Sequence, residues 1–149
     1  MPAKVRVFLD TSALFAAVLS ETGGARVILA LGEAGGVQVM VGPRVLSEAD
    51  GVLRRKAPDS RVRFALLLDC ARVTVGPEPA EEALKLAGSV TGYAPDAQVL
   101  AEALMVGVDY FVTLDREHFI GNPRGGRLPF PIGTPGDFLA WLRERLAAE

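Results

Sequence analysis

Short runs of apolar, mostly β-branched residues alternate along this chain with longer segments in which apolar residues recur every three or four positions. A short continuous apolar run bounded by turn residues indicates a strand, whereas a spacing of three to four indicates an amphipathic helix. The runs predict strands at residues 5–9, 37–41, 73–75 and 110–114, with a fifth near residues 128–132. Strands that alternate with helices are typical of βαβ units, so we expect an α/β fold with a parallel sheet.

The helical segments follow the same pattern. Gly23 and Gly24 interrupt an apolar stripe that begins at Leu14, so two helices are predicted after the first strand. Another helix is predicted to begin at Pro43, because proline has no amide hydrogen to leave unpaired at a first position. Further apolar stripes predict helices around residues 62–67, 83–86, 99–104 and 138–146. The stretch 116–136, rich in glycine and proline, is too long for an ordinary connection, so we expect it either to border a functional site or to cross over to an edge strand.

Composition limits the class of protein. A chain of 149 residues, half of them hydrophobic, is long enough for one domain with a substantial core, predicted to span residues 1–149. The net charge of −2 argues against a generally basic nucleic-acid-binding protein but allows a local basic stripe.

Localisation is predicted from apolar runs and cysteine content. A charge at Asp10 precedes any signal-type apolar segment, and no later run approaches the roughly 18 apolar residues of a membrane span. The single cysteine, Cys70, permits no internal disulfide, and its apolar surroundings predict a core position. We therefore expect an unexported cytoplasmic protein with no membrane partner.

Two acidic residues follow predicted strands. Asp10 ends the first strand and Asp115 ends the fourth, where open parallel sheets have their ligand crevice, outside the carboxyl ends of the strands. Glu48 and Asp96 lie in helical segments between them. Four acids with one histidine, one cysteine and no evident nucleophile favour a hard divalent cation, Mg²⁺ or Mn²⁺, which prefers carboxylate and water oxygens.

Each of these acids also has a purely structural interpretation. Asp10 can cap the following helix, and Asp115 can form an Asx-type turn. Asp96 follows a proline at a helix start, where a negative charge is favourable through the helix dipole alone. Glu48 can be an ordinary solvated helix residue, with Asp50 two positions away as the rival acid. We favour Glu48 because it falls nearer the inward apolar face of its helix.

Several other side chains have predicted supporting roles. Thr11 and Ser12, together with the amides after Asp10, are placed to bind a phosphate or a metal-bound water, and Thr113 to hydrogen-bond a ligating carboxylate. His118, the sole histidine, is predicted to be a structural or loop residue. A basic cluster is predicted either to follow an RNA backbone or to form a solvated helical corner or partner-binding edge, and it comprises Arg54, Arg55, Lys56, Arg61 and Arg63.

Taken together, four segments resemble the PIN domain, a metal-dependent nuclease fold found in VapC-type toxins of bacterial and archaeal toxin–antitoxin pairs. They are FLDTSAL, VLSEADGVLRRK, YAPDAQVLAEAL and GVDYFVTLDREHF, and the resemblance covers nearly the whole chain. It implies a three-layer α/β/α sandwich around a mostly parallel five-stranded sheet. It also implies that one or two Mg²⁺ or Mn²⁺ ions are held by Asp10, Glu48, Asp96 and Asp115.

The resemblance further implies an endoribonuclease. A metal-activated water would hydrolyse the RNA phosphodiester and leave a 3′-hydroxyl and a 5′-phosphate. A small antitoxin protein and a second copy of the chain, in a homodimer, are the implied partners.

Two other functions are open to the same residues. A phosphatase or phosphoaspartyl protein also keeps an aspartate at a strand end, but haloacid-dehalogenase-type enzymes need a second acid two residues later, and position 12 is serine. A non-catalytic PIN-like interaction module is expected to have lost one of the acids, and all four are present.

Overall fold

Five parallel strands form the central sheet in the computed structural model, which describes residues 4–148 and leaves both ends of the predicted 1–149 domain, residues 1–3 and 149, outside it. The strand order is β3-β2-β1-β4-β5. The strands are β1 (Val5–Leu9), β2 (Val37–Val41), β3 (Thr74–Val75), β4 (Tyr110–Val112) and β5 (Ile132–Gly133).

Helices cover both faces of the sheet, which confirms the expected α/β/α sandwich. The helices between residues 4 and 148 are α1 (Thr11–Leu19), α2 (Gly24–Glu33), α3 (Pro43–Lys56), α4 (Arg61–Cys70), α5 (Glu81–Val90), α6 (Ala94–Val106) and α7 (Pro135–Ala147). No single one is long and apolar enough to cross a bilayer, and only the pair α1 and α2 reaches that length and composition, with an 87° bend between them.

The core is built on β1 and β4, the two central strands. Val7, Phe8 and Leu9 are fully buried, as expected for a strand covered on both faces. Phe8 stacks on Phe111 of β4 with ring centroids 5.4 Å apart. The central strands are therefore held by apolar packing as well as by their hydrogen bonds, and the position of their carboxyl ends is well determined.

Two strand boundaries differ from those predicted. The strand predicted at 110–114 ends at Val112, because the Leu114 amide donates to the Ser12 hydroxyl at 3.0 Å instead of to a neighbouring strand. The fifth strand begins at Ile132 rather than 128, since Pro129 and Pro131 have no amide hydrogen to donate to the sheet.

The prediction that Cys70 lies in the core is wrong, because it is exposed at the end of α4. This helix contacts the core mainly through Phe64, while its apolar residues Val62 and Leu66 are 71% and 60% exposed. An apolar sequence environment indicated burial, but α4 turns much of its apolar surface to solvent.

A buried carboxylate joins α6 to the start of α3. Glu102 of α6 is fully buried, and its Oε2 accepts a hydrogen bond of 2.8 Å from the Arg44 amide in the first turn of α3. Burial raises the pKa of Glu102, and the amides of Arg44 and Val45 oppose that rise. A negative charge is favourable at this end of a helix. Gly42 precedes α3 here, and a β-carbon on it would overlap the Glu102 side chain.

We expect Gly42→Ala to lower the free energy of unfolding by about 1–3 kcal/mol, because the added methyl group must displace a buried carboxylate. Urea denaturation would measure this. Gly88→Ala is the matched control, since nothing approaches the added methyl group in α5, and alanine there should stabilise the helix by about 0.5–1 kcal/mol. Equal effects at the two positions would show that the Glu102 contact does not constrain Gly42.

Candidate active site

The order of the strands reverses at β1, which lies between β2 on one side and β4 on the other. In open parallel sheets the ligand crevice lies at such a reversal, outside the carboxyl ends of the two strands. Asp10 directly follows β1, and Asp115 comes three residues after the end of β4. The two strand-end acids therefore lie at the position where this fold opens a crevice.

A cleft of about 260 Å³ occupies this position. Its lining includes all four candidate acids, Asp10, Glu48, Asp96 and Asp115, and its other residues are Thr11, Ser12, Arg44, Tyr93, Pro95, Val99 and Phe119. Within the described part of the chain, no three acidic, histidine or cysteine side chains are already grouped as a metal-ligand set. The acids thus share one cleft, but their side chains are not gathered around a common point.

Asp10 is the most deeply buried of the four acids, with 4% of its surface exposed. Its Oδ1 accepts hydrogen bonds from the Ala13 amide at 2.9 Å and the Ser12 hydroxyl at 2.7 Å, and its Oδ2 accepts one from the Thr113 hydroxyl at 2.5 Å. The structural interpretation of Asp10 as the cap of α1 is therefore correct, and the same carboxylate also lines the cleft.

Burial dominates the electrostatics of Asp10. Burial, with a smaller contribution from the negative charge of Asp115, raises the pKa from 3.8 to about 6, although hydrogen bonds from Thr113, Ala13 and Ser12 oppose the rise. The ionised form of such a carboxylate is costly in isolation and becomes favourable beside a cation.

Asp115 is held by the turn that follows it. Its Oδ1 accepts from the amides of Glu117 and His118 at 3.1 and 2.9 Å, and its Oδ2 lies 2.9 Å from the His118 Nδ1. Burial by itself would raise the pKa of Asp115, but the hydrogen bonds and charge of His118 outweigh it and lower the pKa. The pKa of His118 is raised in return by Asp115. His118 was predicted to be only a structural residue, and it is in direct contact with a candidate ligand.

Asp96 lies in the first turn of α6, and its Oδ2 is buried without a hydrogen-bond partner in residues 4–148. Burial raises its pKa; the charge of His118 opposes this, and those of Asp115 and Glu48 add to it. A buried carboxylate oxygen without a donor is energetically costly unless something positive faces it. This orphaned oxygen is the observation that best fits a cation in the cleft.

Glu48 faces the cleft from α3 and is paired with Arg44 one turn earlier. The Arg44 Nε lies 2.6 Å from Oε1, and the Thr11 hydroxyl is 3.4 Å from Oε2. Asp50, the rival acid two positions later, accepts instead from Arg54 and Arg61 at 2.9 and 3.1 Å, and the hydrogen bond from Arg61 lowers its pKa. The structure therefore places Glu48, and not Asp50, at the cleft.

The hydroxyl groups predicted to support the site join the ends of β1 and β4. The Thr113 hydroxyl donates to Asp10 and accepts from the Asp115 amide at 3.0 Å. The Ser12 hydroxyl donates to Asp10 and accepts from the Leu114 amide. These bonds connect the two strand-end acids through a short polar network in which Asp10 and Thr113 are buried.

The structure separates the predicted basic cluster from this cleft, because none of its residues appears in the lining. Arg54 and Arg61 bind Asp50, which lines a different groove between α3 and α4. Arg63 lies 3.6 Å from a Glu21 oxygen. An RNA-binding role for Arg54, Arg55, Lys56, Arg61 and Arg63 stays a prediction.

Two polar residues of the cleft were not anticipated from the sequence. Arg44 carried a usable signal, since it lies four residues before Glu48 on the same helix face. Tyr93 carried none, because its 59% exposure depends on how α6 packs, which the local sequence does not specify.

The raised pKa of Asp10 predicts a specific pH dependence of stability in the absence of metal. The folded state binds the Asp10 carboxyl proton more tightly than the unfolded state does. The stability that this proton contributes is therefore fully present below a pH of about 4 and is lost as the pH rises through about 6. Asp10→Asn should therefore gain stability relative to the unaltered protein, by up to roughly 3 kcal/mol, between about pH 4 and about pH 8. Urea denaturation in EDTA at both pH values measures this difference.

The control is Asp69→Asn, which removes a charge from an exposed position on α4 and should change stability little at either pH. An Asp10→Asn variant that is destabilised equally at both pH values would show that Asp10 contributes only as a helix cap.

Comparison with known proteins agrees with this geometry. A PIN domain family model matches residues 6–117, which include all four acids. No curated protein sequence matches this chain significantly. Among solved structures, VapBC2 from Rickettsia felis, bound to a DNA fragment from its promoter, matches with 13% identity and a TM-score of 0.65, over 87% of this chain and 98% of that one.

Two further structures share the fold. Mycobacterium tuberculosis VapC20, a toxin that cleaves the sarcin-ricin loop, matches with 20% identity and a TM-score of 0.55, over 75% of this chain and 92% of that one. PAE2754 from Pyrobaculum aerophilum matches with 22% identity and a TM-score of 0.52, over 97% of this chain and 98% of that one. With a family model that covers most of its length and a fold shared with VapC toxins, the chain belongs to the PIN domain family.

Proposed function

We propose that this protein is a divalent-metal-dependent endoribonuclease and the toxin component of a toxin–antitoxin pair. One observation carries the proposal: the four acids of a PIN domain chain line a single cleft at the strand-order reversal, and one buried oxygen of Asp96 has no partner in residues 4–148. A haloacid-dehalogenase-type phosphatase requires a second acid two residues after Asp10, where this chain has Ser12. A non-catalytic module is expected to have lost one of the four acids, and all four are present.

The donor set fits Mg²⁺ or Mn²⁺. The cleft offers carboxylates and hydroxyls, which hard cations prefer, and among residues 4–148 no cysteine or histidine contributes to its lining. Asp10, Glu48, Asp96 and Asp115 would hold one or two ions. Such an ion, when bound, lowers the pKa of a coordinated water and stabilises negative charge on phosphodiester oxygens.

The chain's own residues orient this donor set. Asp10 is fixed by hydrogen bonds from Ala13, Ser12 and Thr113, and Asp115 by the turn at His118, so both carboxylates are held at the cleft before any ligand binds. The Arg44 guanidinium balances the charge of Glu48, and its remaining N–H groups can donate hydrogen bonds to a phosphate. With no protein nucleophile assigned, the attack falls to water, and the products carry a 3′-hydroxyl and a 5′-phosphate.

The partners follow from the same proposal. We infer an RNA substrate, a small antitoxin and a homodimer, acting in the cytoplasm. The fold shared with VapBC2 supports the antitoxin partner, and the fold shared with VapC20, a toxin that cleaves the sarcin-ricin loop, supports the RNA substrate.

Purified protein is expected to cleave RNA when Mn²⁺ or Mg²⁺ is present and to lose this activity in EDTA. Asp10→Asn and Asp115→Asn should each lower the cleavage rate by at least about 100-fold, since each removes a charged oxygen ligand. Gel analysis with end-group labelling would identify 5′-phosphate products. The control Asp69→Asn should cleave normally, and an Asp10→Asn variant that retains full activity would contradict the proposed site.

Metal is also expected to stabilise the folded protein. A cation that binds only the native cleft stabilises the folded state by mass action and so raises the melting temperature. At a concentration 100-fold above its Kd, the gain in the free energy of unfolding is about 2.7 kcal/mol. Differential scanning fluorimetry with millimolar Mn²⁺ should show an increase in Tm for the unaltered protein and a smaller one for Asp96→Asn. Stabilisation by metal without cleavage of any RNA would favour the non-catalytic interaction module instead.

A further inference from the structure

Tyr93 is an aromatic residue that the fold leaves exposed at the edge of the acidic cleft. It is 59% exposed and lines the cleft together with Asp96 and Asp115. The other tyrosine of the chain, Tyr110, is buried and packs against Phe138 and Trp141. Packing in the core therefore explains one tyrosine but not the other.

The Tyr93 backbone is held firmly although its ring is open to solvent. Its carbonyl accepts from the Ala97 amide at 3.0 Å in the first turn of α6, and its amide donates to the buried Thr91 hydroxyl at 3.3 Å. The His118 ring stacks on the Tyr93 ring with centroids 6.5 Å apart and an angle of 30°. Because His118 is itself bonded to Asp115, the orientation of the Tyr93 ring is set relative to the acids.

The charge of the cleft makes an uncharged contact valuable. Within residues 4–148 no ion pair balances the carboxylates of Asp10 and Asp96, which repel a phosphodiester. Arg44 is already paired with Glu48, and the basic cluster on α3 and α4 lies outside this cleft. Stacking of a base on an aromatic ring provides binding free energy that does not depend on charge and that every base can supply. It also requires that the base be unpaired and free to leave its neighbours.

We propose that Tyr93 stacks an unpaired base of single-stranded RNA and thereby positions the neighbouring phosphate at the carboxylates. This inference rests on the proposed nuclease function and deepens it, since it makes the substrate a single-stranded or looped RNA rather than a duplex. Tyr93 is a substrate-positioning residue in this role, and its exposed ring is the contact surface.

The test uses a short single-stranded RNA that carries 2-aminopurine, a base whose fluorescence is quenched by stacking, moved in turn through each internal position. It is titrated with protein in EDTA, so that binding is measured without metal-dependent cleavage. We expect quenching at one or two positions with the unaltered protein. Tyr93→Ala should lose that quenching and bind about 5- to 150-fold more weakly, whereas Tyr93→Phe and Tyr93→Trp should keep both.

Val62→Ala is the matched control, because it truncates a side chain that is 71% exposed on α4, outside the cleft. It should change neither affinity nor quenching. Urea denaturation of every variant confirms that the comparison is made between folded proteins. A second measurement compares cleavage of the same RNA, free and annealed to its complement, and Tyr93→Ala should raise KM for the free strand more than it lowers kcat.

The outcomes separate this inference from the function on which it rests. Binding and cleavage by Tyr93→Ala at the level of the unaltered protein would overturn the stacking role and leave the nuclease intact. Tyr93-dependent quenching without cleavage in any divalent metal would overturn the nuclease and leave the stacking. If the unaltered protein neither binds nor cleaves RNA, both are overturned.

Discussion

The candidate site depends on the burial of one carboxylate, that of Asp10, between the start of α1 and the end of β4. Taking this group out of water disfavours its charged form, which is why its pKa rises to about 6 despite three hydrogen bonds to it. Those hydrogen bonds come from Ala13, Ser12 and Thr113, so the carboxylate connects a helix that follows one central strand to the residue that follows the other. A buried acid placed in this way serves the fold as a cap and the cleft as a source of negative charge.

Two of the other acids are positioned by helix packing rather than by the sheet. Glu48 and Asp96 lie on different helices, and the buried Glu102 links these helices by accepting from the Arg44 amide. Because α3 begins at this contact, the position of Glu48 relative to Asp96 depends on a residue that does not face the cleft. Gly42 allows this close approach, since any side chain at that position would overlap Glu102.

The four acids differ in whether a cationic side chain balances their charge. Glu48 and Asp115 have cationic partners, Arg44 and His118, whereas Asp10 has neutral donors and an Asp96 oxygen has no donor within residues 4–148. The cleft thus combines two acids whose charge is balanced by the protein with two whose charge is not. That unbalanced negative charge is what a divalent cation would neutralise, and it also explains why an uncharged aromatic surface such as Tyr93 suits an anionic substrate.

Local pattern alone predicted most of the secondary structure and the two strand-end acids. The apolar runs located β1 and β2 at their observed bounds, because a strand covered on both faces leaves a continuous apolar signature in the sequence. Asp10 and Asp115 were predicted as site residues because each follows such a run. Glu48 was preferred to Asp50 because it lies nearer the inward apolar face of its helix. Cys70 was assigned wrongly for a related reason: apolar neighbours indicate burial only when the helix face that carries the residue is covered, and that face of α4 is not.

Tertiary structure decided what depends on contacts between distant segments. The order of the strands places β4 beside β1, and nothing in either run specifies this neighbour, since it follows from the free energy of packing the whole set of helices and strands. The same packing exposed Tyr93, buried Glu102, and brought Arg61 of α4 to Asp50 of α3, away from the cleft. The sequence by itself therefore determined which residues can carry chemistry and where each strand delivers them. Only the folded chain decided which of them meet, because a shared cleft is a property of several elements at once.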